Sequence, residues 1–508
     1  MSLTEIEYDK VNAFSNLLID YNLNNSHFSD LISNFPTLDN LNKQISFKSK
    51  NYNNQFRESL VKEIGNQYKG IKLSEIQKQN INKLLEKDTY TITTGHQLNL
   101  LTGPLYFIYK IISTINLSET LKKNYPEFDF VPIYWMASED HDFDEINNFS
   151  FQGSKFKWSS NQTGVVGEFK LDSIDNVLSE FEKFVSDFPY GNEIIKIFRE
   201  CYLNSNDLSN ATRKLVNILF AKYGLIIIDA NNKNLKSLFR DLIKKELNEK
   251  FIFNKSKKSI KRLNELKYNL QANPREINLF YIHDKKRERI IEKGNLFQTS
   301  NGSKKWNLEE IQDDVNLNPE KFSPNVLFRP IFQEFILPNI CYVGGPAEVA
   351  YWLELKSVFE SLNLTFPLIL NRNSALLLEK KQIDKLNKLN VSIEEIFLPK
   401  KQLKENLVRK YSKLKLDFTN LKQQLNNQFS ELKDKAIHTD KSFIGALNAQ
   451  EQKQINGLKM LEKRLLKSEQ RIHQDKINKV LEIRDKLFPG GKPQERISNF
   501  SEFYKIHG

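Results

Sequence analysis

The stretch TTGHQLNLLTGPLYFIYK, residues 93–110, decides the fold class, because two Thr-Gly steps lie between a strand-like run and a helix-like run. The strand-like run, residues 90–93, is short and β-branched, and apolar residues recur at helical spacing from Leu105 onward. Backbone amides at a helix start point outward, and the helix dipole favours an anion there. The stretch therefore predicts either a phosphate-holding turn or an ordinary strand-to-helix turn of an α/β protein.

Four residues of this turn are candidate ligand contacts. Gly95 and Gly103 are its glycines, and Thr102 is a candidate N-cap for the helix that follows. His96 is a candidate contact for a phosphate or a transition state, or else only a hydrogen-bonding partner. Neither a Gly-x-Gly-x-x-Gly pattern nor a Walker pattern is present, so the turn alone does not identify a nucleotide site.

The bulk composition narrows the class of protein. The 508 residues carry a net charge of +12, spread along the chain without a basic block, so a phosphate-bearing or acidic small ligand fits as well as nucleic acid does. Cys201 and Cys341 are the only cysteines, which excludes a disulfide framework and a CxxC metal site. No basic n-region or apolar h-region opens the chain, and no apolar run reaches roughly 18 residues. These features predict a soluble cytoplasmic protein with no membrane partner.

Further apolar runs predict the rest of the sheet. They are nearly continuous, as in strands that are buried on both faces of a parallel sheet. The runs are FVPIYWMA at 130–137, YGLIIID at 223–229, NICYV at 339–343 and FPLIL at 366–370. Together with the first turn they predict an α/β fold with a parallel-sheet core.

The remaining segments predict a multidomain organisation around that core. From about residue 400, apolar residues alternate at spacings of three and four, which is typical of a coiled coil or an antiparallel helical hairpin with a turn near 438–445. The expected boundaries are N-terminal helices with the first half of the core in 1–150, helical insertions with a small β part in 151–325, the second half of the core in 326–398, the coiled coil in 399–487, and a tail that folds back on the core in 488–508.

A cluster of acids and one histidine follows the second predicted strand. The sequence SEDHD contains Asp140, His141 and Asp142 at the strand end, where open α/β sheets place their ligands. These side chains could bind a metal, orient an amine or act as a general base. The alternative is an acid-rich helix start, which the helix dipole favours without any chemistry.

A second glycine-bearing turn adds further candidates. Gly344 and Gly345 follow a predicted strand, and Glu348 lies in the helix behind them. Such a turn allows close approach of a ligand, or is simply tight. Arg329 lies before this unit, and Arg372 with Ser374 lies after it. Arginine suits carboxylate or phosphate recognition because its fork donates two parallel hydrogen bonds.

Several enzyme classes lose support from the same sequence. It contains no Gly-x-Ser-x-Gly elbow, no His-Glu-x-x-His motif and no paired-cysteine zinc spacing. A serine hydrolase, a zincin and a thiolate-ligated zinc protein are therefore not favoured.

The order of motifs resembles one known family over essentially the whole chain. The motifs are TGHQLNLLTGPLYFIYK, VPIYWMASEDHDFDEI, YGLIIIDA, RPIFQEFILPNICYVGGPAEVAYW, FPLILNRNSA and PGGKPQER. They resemble the cysteine ligase family of bacillithiol synthesis, the BshC family. The resemblance implies a Rossmann-type core with connective insertions, and a coiled coil that forms a homodimer. It also implies that cysteine and glucosaminyl-malate are the substrates.

That family is similar to class I aminoacyl-tRNA synthetases and to the cysteine ligase of mycothiol synthesis. The synthetase-type first turn carries two histidines, whereas residues 101–104 here are Leu-Thr-Gly-Pro. The synthetase-type late loop carries lysines, whereas residues 372–375 are Arg-Asn-Ser-Ala. ATP or another nucleotide is expected as the activating co-substrate, and the metal content is left open.

The sequence supports one leading hypothesis and two rivals. The leading hypothesis is a ligase that forms an amide between the cysteine carboxyl and the amine of glucosaminyl-malate. In it, Asp140 or Asp142 positions or deprotonates the attacking amine, and His96 contacts the developing oxyanion. Arg329 and Arg372 are candidates for the malate carboxylates or a phosphate. One rival is a nucleotidyl or acyl transferase with another acceptor. The other is a tRNA-binding module, which the diffuse charge of the coiled coil does not favour.

Overall fold

The computed structural model describes residues 3–414, 416–437 and 441–508, with only the backbone of Lys441. The chain divides into two compact units. One comprises Phe14–Leu376 and Gln494–Gly508, and the other comprises Met1–Ala13 and Leu377–Pro493, within the described residues. The residues after the coiled coil therefore belong to the same unit as the sheet.

Twelve strands form in the described residues. They are β1 Thr89–His96, β2 Asp129–Met136, β3 Asn148–Phe151, β4 Ser154–Lys157, β5 Ile226–Asp229, β6 Leu279–His283, β7 Lys286–Lys293, β8 Leu296–Thr299, β9 Lys305–Trp306, β10 Phe322–Pro324, β11 Asn339–Gly344 and β12 Leu368–Asn371. The five runs that the sequence predicted as buried strands correspond to β1, β2, β5, β11 and β12.

The described helices connect and cover these strands. They are α1 Asn16–Asn22, α2 Leu38–Asn51, α3 Phe56–Gln67, α4 Glu75–Lys83, α5 Tyr106–Asn124, α6 Phe143–Ile146, α7 Ile174–Val185, α8 Gly191–Leu203, α9 Leu208–Phe220, α10 Lys233–Leu238, α11 Arg240–Glu249, α12 Phe251–Glu265, α13 Leu308–Leu317, α14 Arg329–Ile336, α15 Pro346–Leu353, α16 Lys356–Ser361, α17 Lys380–Lys388, α18 Ile393–Ile396, α19 Lys400–Tyr411, α20 Thr419–Ala436, α21 Lys441–Ile472, α22 Gln474–Leu487 and α23 Ser501–His507.

The central sheet is parallel, with the strand order β12-β11-β1-β2-β5. The chain first builds outward from β1 through β2 to β5, and later returns to the other side of β1 with β11 and β12. This reversal makes the gap between β1 and β11 a topological switch point, where open α/β sheets form a crevice at the carboxyl ends of the strands. The predicted α/β class is confirmed.

The insertions carry more β structure than the sequence indicated. A five-stranded antiparallel sheet has the order β10-β6-β7-β8-β9, and β3 pairs with β4 in a separate hairpin. Strand β7 has two buried residues, Arg287 and Ile290, and the others are exposed or half-buried. An arginine that points inward from a surface sheet needs polar partners, which the site geometry below supplies.

The first turn differs from its predicted form, and Thr102 as an N-cap is wrong. Helix α5 begins only at Tyr106, and residues 100–102 form a short 3-10 turn. Leu101 and Thr102 have φ values of 47° and 72°, in the left-handed region that β-branched residues avoid. Gly103 follows at φ 60°, which only a glycine adopts freely.

This strained turn is held by hydrogen bonds from distant parts of the chain. The Asn499 amide donates to the carbonyls of Leu101 at 2.8 Å and Gly103 at 2.6 Å, and the Leu101 amide donates to the Tyr202 hydroxyl. Asn499 is fully buried. Left-handed residues persist only where the surroundings over-determine them, and these bonds do so here.

The coiled-coil unit consists of α17 to α22 in its described part. Helices α20 and α21 pack around Phe429, Ala436 and Leu447. The helices of this unit are interrupted at a point that the apolar spacing did not predict, because α19 ends at Tyr411 and α20 begins at Thr419. The expected turn at 438–445 lies partly outside the described residues, since 438–440 are not described.

Two further observations complete the fold. Both cysteines are free and buried. Among the described residues, no helix is both long and apolar enough to cross a membrane.

Replacing Asn499 should destabilise the sheet-containing unit. Asn499→Ala leaves two buried carbonyls without a donor, so we expect a loss of about 2–5 kcal/mol in the free energy of unfolding. Denaturant unfolding followed by circular dichroism measures it. The matched control is Asn116→Ala, an exposed position on α5 that should change the free energy of unfolding by less than about 0.5 kcal/mol. Equal unfolding midpoints for both variants would contradict the proposal that Asn499 stabilises the turn.

Candidate functional site

The candidate residues gather at one edge of the central sheet. Strands β1, β2, β11 and β12 are parallel, so their carboxyl ends share this edge, and the candidate residues follow those ends. The group at the switch point comprises Gly95, His96, Gly344, Gly345, Glu348, Arg372 and Ser374. A second group, beyond the end of β2, comprises Asp140, His141 and Asp142.

A buried ion pair spans the switch point. Lys110 of α5 is 4% exposed, donates to the Gly95 carbonyl at 2.9 Å and forms an ion pair with Glu348. The Glu348 carboxylate also accepts from the Gly345 amide at 2.8 Å and from the Tyr342 hydroxyl at 2.5 Å. Burial lowers the pKa of Lys110, although the charge of Glu348 opposes that shift. The pair thus links the carboxyl ends of β1 and β11.

A second buried pair lies beside the first. Arg372 is 2% exposed, and its two terminal nitrogens donate to the Glu495 carboxylate at 2.8 and 2.7 Å. Ser374 donates to the same carboxylate at 3.2 Å. The remaining donor, Nε of Arg372, is buried and makes no hydrogen bond within the described part of the chain. It lies 3.8 Å from the point that a Cβ on Gly345 would occupy, so it faces the glycine turn.

His96 contributes a neutral imidazole to the same place. Its ring contacts Tyr106 and Phe107, with centroid distances of 5.3 and 4.9 Å. Burial, together with the charges of Lys110 and Arg372, holds the pKa of His96 well below its ordinary value. Its Nε2 is buried without a hydrogen-bond partner among the described residues. The switch point therefore holds two buried polar nitrogens that no described protein group satisfies.

Thr102 and Gly103 make hydrogen bonds within their own turn. Their amides donate to the carbonyls of Asn99 and Leu100 inside the turn. The Thr102 hydroxyl is buried and unpaired among the described residues. The backbone donors of this turn are thus already used.

The group beyond β2 is organised by Gln97 and two arginines. Gln97 donates to Asp140 at 2.8 Å, and Asp140 also accepts from the His141 amide at 2.8 Å. Burial alone would raise the pKa of Asp140, but the charge of Arg329, the Gln97 hydrogen bond and the charge of Arg287 hold it below its ordinary value. Asp140 is therefore a carboxylate at neutral pH.

His141 and Asp142 are the exposed members of this group. Nη1 of Arg287 lies 3.1 Å from Nδ1 of His141. Asp142 is exposed, and its carboxylate forms no hydrogen bond or ion pair with the described residues. Arg329 is half-buried at the start of α14, and its charge acts on Asp140.

Sequence reasoning missed five residues that organise the site. They are Gln97, Lys110, Arg287, Tyr342 and Glu495. A signal existed for Lys110, since it lies on the same helical face as the buried residues Phe107, Ile111 and Thr114. A lysine on an apolar helical face needs a buried partner.

No group of three or more metal-ligating side chains occurs in the described ranges. Nε of Arg372 is suited to an acceptor oxygen, such as that of a carboxylate or a phosphate, and Nε2 of His96 can donate to one when it carries the ring proton.

The sheet, its switch-point site and the long helices define a Rossmann-like α/β protein with a coiled-coil domain. Comparison with known families agrees. The family model "Bacillithiol biosynthesis BshC, N-terminal Rossmann-like domain" matches residues 1–373, and "Bacillithiol biosynthesis BshC, C-terminal coiled-coil domain" matches residues 375–508. The chain belongs to the BshC family of bacillithiol biosynthesis.

Individual relatives cover nearly all of the chain. It is 46% identical to a relative from Flavobacterium johnsoniae over 99% of this chain and 95% of the relative. It is also 46% identical to one from Christiangramia forsetii, over 99% and 94%. A relative from Bacillus cytotoxicus is 27% identical over 89% and 87%. Each is named "Putative cysteine ligase BshC".

The Arg372–Glu495 pair should behave as a unit in stability. Glu495→Leu leaves a buried guanidinium uncompensated, so we expect a loss of about 3–5 kcal/mol in the free energy of unfolding. The double variant Arg372→Met/Glu495→Leu removes both charges and should recover most of that loss. A double-mutant cycle in denaturant measures the coupling. Strictly additive losses would show that the two side chains do not interact.

Proposed function

We propose that this protein is a cysteine ligase. It forms an amide between the carboxyl group of cysteine and the amine of glucosaminyl-malate, with a nucleotide activating the carboxylate. Membership of the BshC family and the names of the relatives support the reaction class. The observation that carries the site assignment is the unpaired, buried Nε of Arg372 at the switch point, beside the unpaired Nε2 of His96.

The chemistry sets what the site must do. A carboxylate resists attack by an amine. A nucleoside triphosphate would transfer a phosphoryl or nucleotidyl group to a carboxylate oxygen and release the rest of the triphosphate, and that oxygen would leave with the transferred group when the amine bonds to the carboxyl carbon. Nε of Arg372 and the Lys110 ammonium are placed to hold an anionic oxygen at the switch point. Both cations already have carboxylate partners, so we expect the direction of the donors, rather than net charge, to position that oxygen.

The attacking amine must be neutral and oriented. In solution it is an ammonium ion, so one proton must leave before the C–N bond forms and another as the bond forms. Asp142 has a free, exposed carboxylate that can accept a proton. Asp140 is fixed by Gln97 and is better suited to orient the ammonium than to move.

The neutral imidazole of His96 is suited to a hydrogen bond with an oxygen atom of the ligand. Its lowered pKa keeps the ring uncharged at neutral pH, so it adds no third positive charge beside Lys110 and Arg372. We assign it to the developing oxyanion of the reacting carboxyl group.

The reaction and the site can be tested together. Purified protein with cysteine, glucosaminyl-malate and ATP should yield the thiol product, detected by mass. His96→Ala and Asp142→Ala should each lower kcat by about 10²-fold or more, because each removes a group acting in the transition state. The matched control is Asp144→Ala, an exposed acid in α6. Normal turnover by both site variants would reject the site assignment.

We also propose that the protein is a homodimer through its coiled-coil unit. The described surface of α20 and α21 exposes large apolar side chains, including Leu421 at 47%, Met460 at 58% and Leu461 at 54%. Exposed apolar side chains mark an interaction surface when they form a contiguous patch, and we take these residues to form one.

Light scattering should give twice the 59.6 kDa of one chain. Leu421→Glu/Leu461→Glu should shift the mass to that of one chain, because charges in an apolar interface cost several kcal/mol. The control is Leu317→Glu, which changes an exposed leucine of the other unit. A single-chain mass for the unmodified protein would exclude the homodimer and leave the α20–α21 packing intact.

A further inference from the structure

The guanidinium of Arg287 is fixed on three sides. Its Nε donates to the Ser323 hydroxyl at 3.0 Å, and its Nη2 donates to the Pro324 carbonyl at 3.0 Å. The plane lies 3.9 Å from the centre of the Phe280 ring. Burial lowers the pKa of Arg287 to about 10, so the group remains a cation at neutral pH. The third guanidinium nitrogen, Nη1, faces His141.

The contact of Nη1 with His141 determines which ring nitrogen carries the proton. Nη1 of Arg287 lies 3.1 Å from Nδ1 of His141, and a guanidinium can only donate. Nδ1 must therefore accept, which leaves the imidazole proton on Nε2. We propose that Arg287 holds His141 as the neutral Nε2–H tautomer, so that His141 serves the reaction as a hydrogen-bond donor and not as a base.

The charged groups around the ring are consistent with this tautomer. Oδ1 of Asp140 is 3.7 Å from Nδ1, beyond hydrogen-bond distance, and it already accepts from the His141 backbone amide. Burial and the charge of Arg287 lower the pKa of His141, with a smaller contribution from Arg289, while Asp140 and Asp142 oppose the shift. A protonated ring would place an N–H against the Arg287 donor.

The inference rests on the proposed function in one respect: it takes the end of β2 as part of the ligase site. There, an Nε2–H donor can bind a carboxylate of glucosaminyl-malate or the oxygen of the reacting carboxyl group. Because Nδ1 is occupied and Nε2 carries a proton, neither ring nitrogen can take a proton from the amine. Proton removal is left to the neighbouring carboxylates.

Two amide substitutions separate a donor from a base. His141→Gln would place a side-chain N–H near the position of Nε2, whereas the amide introduced by His141→Asn would lie near the position of Nδ1, and neither amide titrates. We expect His141→Gln to keep activity within about tenfold of the unmodified protein, and His141→Asn and His141→Ala to lose about 10²-fold. The acid limb of the pH profile should be the same in His141→Gln as in the unmodified enzyme. Equal loss in all three variants would overturn the inference.

A measurement without turnover tests the tautomer itself. Nitrogen-15 NMR of histidine-labelled protein distinguishes Nε2–H from Nδ1–H, and His141→Gln identifies the signal. We expect the Nε2–H form. Arg287→Met should raise the pKa of His141 by about one unit, because it removes both a donor and a charge. The control Arg289→Met removes an exposed charge on the same strand and should shift that pKa less, without changing the tautomer.

The two proposals fail in different ways. An Nδ1–H signal, or a His141 pKa that Arg287→Met leaves unchanged, would overturn the assignment of His141. Absence of ligation by the unmodified protein, with an Nε2–H signal and the expected pKa response, would reject the proposed function and leave the Arg287–His141 pairing in place.

Discussion

The parallel pairing of β1 with both β2 and β11 is the constraint on which the site depends. Strand β1 pairs with β2 without a break from Thr89 to His96, so the two strands end level. The Ala137 amide extends this ladder by donating to the His96 carbonyl at 2.9 Å. Gln97 and Asp140 therefore leave the sheet side by side and can form their hydrogen bond. On the other side, Gly344 ends β11 at the same edge, which brings Glu348 within reach of Lys110.

The pairing of β1 with β11 is irregular and is pinned by buried polar groups. The register shifts between Thr91 and Ile92. Asn339 accepts from the hydroxyls of Thr91 and Thr93, at 3.2 and 2.8 Å, and donates to Glu334 at 2.7 Å. Burial raises the pKa of Glu334, although the charge of Lys48 opposes that shift. A one-residue slip would break all three contacts among buried side chains, so this network fixes the level at which the switch point forms.

The sequence predicted what depends on local pattern and missed what depends on distant partners. Continuous apolar runs indicated all five core strands, and the chemistry-bearing residues that follow them lie together at one edge of the sheet. Glu495 gave no such signal, because nothing near it in the chain suggests a partner at Arg372. Thr102 resembled an N-cap by its type and position, but bonds from Asn499 hold its turn in the left-handed region. The helix break after Tyr411 was not predicted, because no proline or glycine marks it.

The two buried ion pairs also limit how a ligand can be held. The Nη1 and Nη2 donors of Arg372 are both bound to Glu495, so the bidentate fork that makes arginine a strong anion receptor is already used. Nε is the guanidinium nitrogen without a partner among the described residues, and its direction is fixed because Glu495 holds the guanidinium plane. One fixed donor discriminates by the position of an oxygen atom rather than by the charge of the group that carries it. Such a site binds its ligand through geometry and gains most when water is excluded, since a hydrogen bond strengthens in a medium of low dielectric constant.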